Sequence, residues 1–91
     1  MQFEFHAAKD AVNLRKHGIG LVDAARVFLD PDRLDLRDDR KDYGEERRIV
    51  VGSIGRRVLV VVYTRRADAV RLISARRANE REQKSYHALR N

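Results

Sequence analysis

The stretch V-R-L-I-S-A-R-R-A-N-E-R-E-Q-K-S-Y, residues 70–86, decides the fold. It predicts a strand that runs straight into a capped helix. Val70, Leu72 and Ile73 carry the branched and aliphatic side chains that suit a pleated surface. Asn79 is a good helix N-cap, and Glu82 three positions later completes a capping box. Arg76 and Arg77 therefore fall at the end of the strand, beside the start of the helix. Successive strand residues alternate, so their side chains point to opposite faces of the sheet. Two guanidiniums at such a junction suit contact with phosphate. The plain alternative is a pair of solvated arginines, in a chain with 20 Lys and Arg residues.

Outward from that junction the chain fills in on both sides. Residues 57–65 predict another strand, and its centre, residues 59–63, is apolar on both faces, as in a central strand. Residues 47–52 precede it. Short turns at 54–56 and 66–68 join the three strands into an antiparallel meander, with 57–65 in the middle. Leu34-Asp35-Leu36 alternates and adds a strand, and the polar run 37–44 predicts an exposed, mobile loop. At the start, Phe3-Glu4-Phe5 predicts an edge or first strand. Ala7, Ala11, Leu14 and Gly18 recur on one helical face, and Gly18 suits the left-handed position that ends a helix. Leu21, Ala24, Ala25 and Phe28 predict a second helix, stopped by Asp30-Pro31. The last helix spans about residues 79–89. The order β-α-α-β-β-β-β-α is an α+β fold: a small antiparallel sheet with two N-terminal helices and one C-terminal helix.

A chain of 91 residues, 43% hydrophobic, supports one modest core, so residues 1–91 are expected to form one domain. The net charge of +6 is spread over folded elements and points to a polyanionic partner. With no cysteine, disulfide scaffolds and thiolate metal sites are excluded. The N-terminus lacks the pattern of a signal peptide, and the longest apolar run, residues 58–63, is too short for a bilayer. A cytoplasmic protein away from membranes is expected.

No metal or cofactor motif is visible. His6, His17 and His87 are scattered, and none pairs at the i, i+4 spacing of a zinc helix. The acidic pairs Asp38-Asp39 and Glu45-Glu46 are expected on solvated surface. His17 follows Lys16 in the last turn of the first helix. It is either a surface residue favoured by the helix dipole or a general acid or base held beside cations. Glu82 lies on the apolar stripe with Tyr86 and Leu89. It either serves the capping box or reaches back to orient Arg76 or Arg77 through a bidentate pair, two roles that compete for one side chain. Tyr86 is expected in the core. Tyr63, followed by Thr64-Arg65, is expected either in the core or stacked on a base.

These residues resemble a known family. N-L-R-K-H-G at 13–18, D-A-A-R-V-F at 23–28, G-E-E-R at 44–47, L-V-V-V-Y-T at 59–64 and I-S-A-R-R-A at 73–78, with Glu82 and Tyr86, are similar to the BrnT toxins of type II toxin–antitoxin systems. The resemblance implies a RelE-like fold, an RNA substrate, and cleavage without a metal that blocks translation. It also implies a BrnA-type antitoxin as partner, through which alone operator DNA would be met. A metal-free ribonuclease uses the ribose 2′-OH as nucleophile, and needs a base, a cation for the charged phosphorane and an acid for the leaving oxygen. On this resemblance Arg76 is the cation, with Arg77 and Arg65 assisting. His17 is the base or acid, Lys16 a phosphate contact, and Glu82 the carboxylate that orients arginine.

Two helix starts depart from the family pattern. His6 stands where an acidic N-cap is common, and Gly20-Leu21 where Ser-Phe is usual. Both changes are expected to loosen helix starts, by about 0.5–2 kcal/mol for a full cap deletion. Two other readings of the basic surface compete with the ribonuclease: a non-catalytic nucleic-acid-binding module, and a module whose basic face docks an antitoxin.

Overall fold

The computed structural model describes residues 2–40 and 42–89. Five strands form one sheet in the order β1-β5-β4-β3-β2: β1 is Gln2–Glu4, β2 Leu34–Arg37, β3 Arg48–Ile54, β4 Arg57–Arg66 and β5 Ala69–Arg77. The expected meander is β3-β4-β5, with the doubly apolar β4 at the centre of the sheet. β1 pairs in parallel with the start of β5, and β2 closes the other edge antiparallel to β3. Three helices complete the fold: α1 (Ala7–His17), α2 (Leu21–Ala24) and α3 (Glu80–Ala88). The α+β architecture is therefore as expected. Among the described residues no helix is long and apolar enough to cross a membrane.

Residues paired directly across antiparallel strands share a face, so the register sorts the side chains. Asp35, Val50, Val61 and Ala75 form one row, and Gly52, Leu59 and Arg77 another, on the face covered by α1 and α2. Leu34, Val51, Val60 and Arg76 lie on the opposite face, with α3. A bulge in β5, at Ile73, sits between the pairs Val62–Ser74 and Tyr63–Leu72. It adds one residue without losing the alternation of the rest.

The main core joins Leu21, Ala24 and Val27 to Val50, Leu59, Val61, Tyr63 and Leu72. The second helix is shorter than expected. After Ala24 the chain tightens into a 3₁₀ segment, Ala25–Leu29, before Asp30-Pro31 ends it. That segment lies directly on Gly52: a Cβ there would stand 3.1 Å from the Val27 carbonyl oxygen and 3.2 Å from Val27 Cβ. Any side chain there would push the segment back by a few tenths of an ångström, so glycine suits the close approach.

The face assigned to α1 is corrected. Ala7, Ala11 and Leu14 face solvent, and the buried residue of that helix is Asn13. β1 covers β5 only as far as Arg71, which leaves the edge beyond it unpaired. Asn13 takes the place of a strand there. Its Nδ2 donates to the carbonyls of Ala75 and Ile19, both at 2.8 Å, and its Oδ1 accepts the Ala75 N–H at 3.1 Å. A buried backbone edge has to be satisfied, and one amide side chain satisfies it while fastening α1 to the sheet.

Neither departure from the family pattern leaves a helix start uncapped. His6 Nδ1 accepts the Ala8 N–H at 3.2 Å. Gly20 has no side chain to offer, but Asp10 of α1 accepts the Leu21 N–H at 2.7 Å. The expected loosening is offset by these substitutes. Gly18 ends α1 with φ of 70°, as expected.

Candidate active site

α3 starts as the sequence predicts. Asn79 accepts the Glu82 N–H, and Glu82 Oε1 accepts the Asn79 N–H, each at 2.8 Å. The same carboxylate receives Arg76 as a fork, NH1 to Oε1 and NH2 to Oε2, both at 2.8 Å. The two roles expected to compete are filled at once, because Oε1 accepts from both donors. Bonding to Arg76 holds the Glu82 carboxyl below its usual range against the opposing effect of burial. Glu82 in turn raises the pKa of Arg76 further. The fork leaves the Arg76 side chain 41% exposed.

α3 is short, and it covers one end of its face of the sheet. Tyr86 is fully buried there, as expected, with Val51, Val58, Val60 and Ala78. Its hydroxyl donates to Asp30 Oδ2 and lies 3.3 Å from Ser53 Oγ. Burial alone would raise the pKa of Asp30, but bonds from Tyr86, the Ser53 and Asp32 amides and the Ser53 hydroxyl together lower it. Beyond Tyr86 the next row of the face is Leu36, Ile49, Val62 and Ser74. Leu36 is 57% exposed and the other three are half-buried. This strip is an apolar floor left partly open, with Arg76 on its α3 side.

The loop after β2 bounds the strip. Its described residues are tied by several hydrogen bonds. Asp38 was expected on solvated surface, yet its side chain is fully buried and takes Arg40 as a fork, Nε to Oδ1 at 2.8 Å and NH2 to Oδ2 at 2.9 Å. The Tyr43 hydroxyl donates to the same carboxylate at 3.2 Å. The Asp38 N–H donates to the Arg47 carbonyl at 2.8 Å, closing the loop at its base. The Arg47 guanidinium lies 4.1 Å from the centre of the Tyr43 ring. Hydrogen bonds from Arg40 hold Asp38 far below the usual carboxylate range.

The other expected site residues separate into four places. Lys16 and His17 line a cavity of about 360 Å³ between α1 and β5, together with Asn13, Ile73 and Ser74. Ser74 precedes Arg76 by two residues on the same side of β5, but Arg76 does not itself line the cavity. Arg77 is exposed on the opposite face, in the row of Leu59. Arg65 pairs with Val70, six residues before Arg76 and roughly 20 Å away along the strand. It is too far to assist at the same phosphate. Tyr63 is fully buried: its ring packs edge-on to Phe28 at 5.1 Å, and its hydroxyl donates to Asp35. Asp35 also accepts Arg48 Nε at 2.9 Å. With its ring inside the core, Tyr63 has no face to offer a base, which corrects that expectation.

Sequence reasoning missed Asp38, Arg40 and Asn13. The Asp-x-Arg spacing in a polar loop was a usable signal for the first two. Asn13 gave none, because its partner lies 62 residues away. Among the described residues no group of three or more His, Cys, Asp or Glu side chains is gathered as for a metal.

No curated protein matches the chain significantly. The family profile described as the ribonuclease toxin BrnT of type II toxin–antitoxin systems matches residues 5–82. That span runs from the residue after β1 to the carboxylate that holds Arg76, and so takes in both forks and the open strip. The chain belongs to the BrnT family of ribonuclease toxins.

Proposed function

We propose that this toxin cleaves RNA without a metal, at the open strip beside Arg76. The 2′-OH attacks the adjacent phosphorus, the new 2′-O–P bond forms, and the P–O5′ bond breaks. Arg76 stabilises the charge that develops on the phosphorane oxygens. His17 is the proton-transfer group and Lys16 a phosphate contact. Glu82 is a positioning residue: its carboxylate is held ionised by Arg76, and it fixes the guanidinium before substrate arrives. The observation that carries this reading is the bidentate Arg76–Glu82 pair on a partly uncovered sheet face. A cation already ordered by the fold loses little freedom at the transition state. In the cell the cleavage blocks translation, and a BrnA-type antitoxin covers the basic strip.

The test is incubation of purified protein with RNA in excess chelator. Fragments ending in a 2′,3′-cyclic phosphate and beginning with a 5′-hydroxyl are expected. Arg76→Ala and His17→Ala each lose this cleavage and relieve growth arrest, while Arg81→Ala, on exposed α3 surface, keeps both. Intact RNA under chelator, with cleavage restored by a divalent ion, overturns the metal-free mechanism.

A further inference from the structure

The fold carries a second arginine with the same construction as Arg76. Arg40 is forked by Asp38 as Arg76 is forked by Glu82. Asp38 is more deeply set than Glu82, with a side chain fully buried against 29% exposed. The Arg40 side chain itself is 66% exposed. The buried Asp38 carboxylate needs a charged partner, but that need does not explain why the partner's guanidinium is left largely in solvent.

Position gives it a use. Asp38 follows β2 two residues after Leu36, which lies in the apolar row with Ile49, Val62 and Ser74. Arg76 stands in the next row on the other side of that strip. The two forks therefore flank one apolar floor. We propose that Arg40 is a second phosphate-binding residue of this site, gripping the phosphate next to the scissile one in a single RNA strand whose base or ribose rests on Leu36, Ile49 and Val62. Arg40 already bears on its counterpart, since its charge works against protonation of Arg76. Two like charges facing one strip are relieved by a polyanion, and successive phosphates of a flexible strand supply one. Direct stacking and phosphate contacts are the usual partition of single-strand recognition.

This inference rests on the proposed ribonuclease reading, and the experiment separates the two. Arg40→Ala and Arg40→Lys are compared with wild type in cleavage of RNA and in binding of a short 2′-O-methyl oligoribonucleotide, which lacks the nucleophile. Arg40→Ala is expected to raise KM about tenfold with kcat little changed. It should also make the salt dependence of oligonucleotide binding shallower by about one charge. Arg40→Lys should restore the salt slope but only part of the affinity, since an ammonium cannot take the fork. A loop that merely loses order would shift the melting temperature without moving the salt slope. Unchanged KM and salt slope in Arg40→Ala, with Arg76→Ala inactive, overturns the role of Arg40 and leaves the ribonuclease reading standing. Arg76→Ala retaining full cleavage overturns that reading instead.

Discussion

On the face covered by α1 and α2, the sheet packs Leu21, Ala24 and Val27 against Val50, Leu59, Val61 and Leu72, with most of these residues wholly excluded from water. On the other face only the α3 end is sealed, by Tyr86 over Val51, Val58 and Val60, and the adjoining row is left half-covered between two forked arginines. The first face is ordered by burial, which needs no direction. The second cannot be, because its guanidiniums must stay accessible. Directional bonds to carboxylates order them instead. Burial thus orders one side of the sheet, and directional bonds order the exposed charges of the other.

The division predicts a graded set of responses. Leu59→Ala, in the sealed core, should lower unfolding stability by about 2–5 kcal/mol, measured by urea titration; a loss under about 1 kcal/mol would mean that this face is not the stabilising one. Asn13→Ala strips partners from buried backbone groups of Ala75 and Ile19, at about 1–3 kcal/mol for each group left unsatisfied, and should cost at least about 2 kcal/mol. Retained stability would show that β5 does not need that edge closed. Acid tests the anchors of the α3 side. Asp30, Asp38 and Glu82 all have lowered pKa values, so they contribute stability that is complete above their unfolded values near 4 and is lost as pH falls through the folded ones. The melting temperature should therefore hold from pH 7 to about 5 and drop below about 4. A drop already complete by pH 5 would contradict ionised anchors. The smallest effect is expected at Leu36→Ala: stability within about 0.5 kcal/mol of wild type, and RNA affinity down about threefold from lost apolar contact.

Much of the fold was legible because it rests on local chemistry. The capping box at Asn79 and Glu82, the left-handed Gly18 and the doubly apolar centre of β4 each depend on neighbours within a few residues, or on burial on both sides. What failed depended on partners distant in sequence. The spacing of Ala7, Ala11 and Leu14 is a genuine helical period, but the sheet edge that α1 meets offers backbone groups, and those select Asn13 rather than an apolar row. Tyr63 sits beside Arg65 in sequence, yet its strand position turns it inward to Phe28 and Asp35. The site was half legible for the same reason. Arg76 and Glu82 are six residues apart and joined by a recognisable cap. Asp38 and Arg40 lie in a polar loop whose acidic side chain gives no sign of burial until the loop closes on Arg47.

If the α3 face of the sheet does the chemistry and the opposite face does not, only the arginine on the α3 face should matter. Arg76 and Arg77 are neighbours in sequence on opposite faces, so they form a matched pair. The measurement is RNA cleavage in chelator by Arg76→Ala and Arg77→Ala, each with a thermal melt to establish folding. Arg76→Ala should lose roughly 100-fold or more of its rate, as when a transition-state donor is removed, and Arg77→Ala should keep its rate within about threefold. A folded Arg76→Ala that cleaves normally, or an Arg77→Ala that loses as much, would contradict the account.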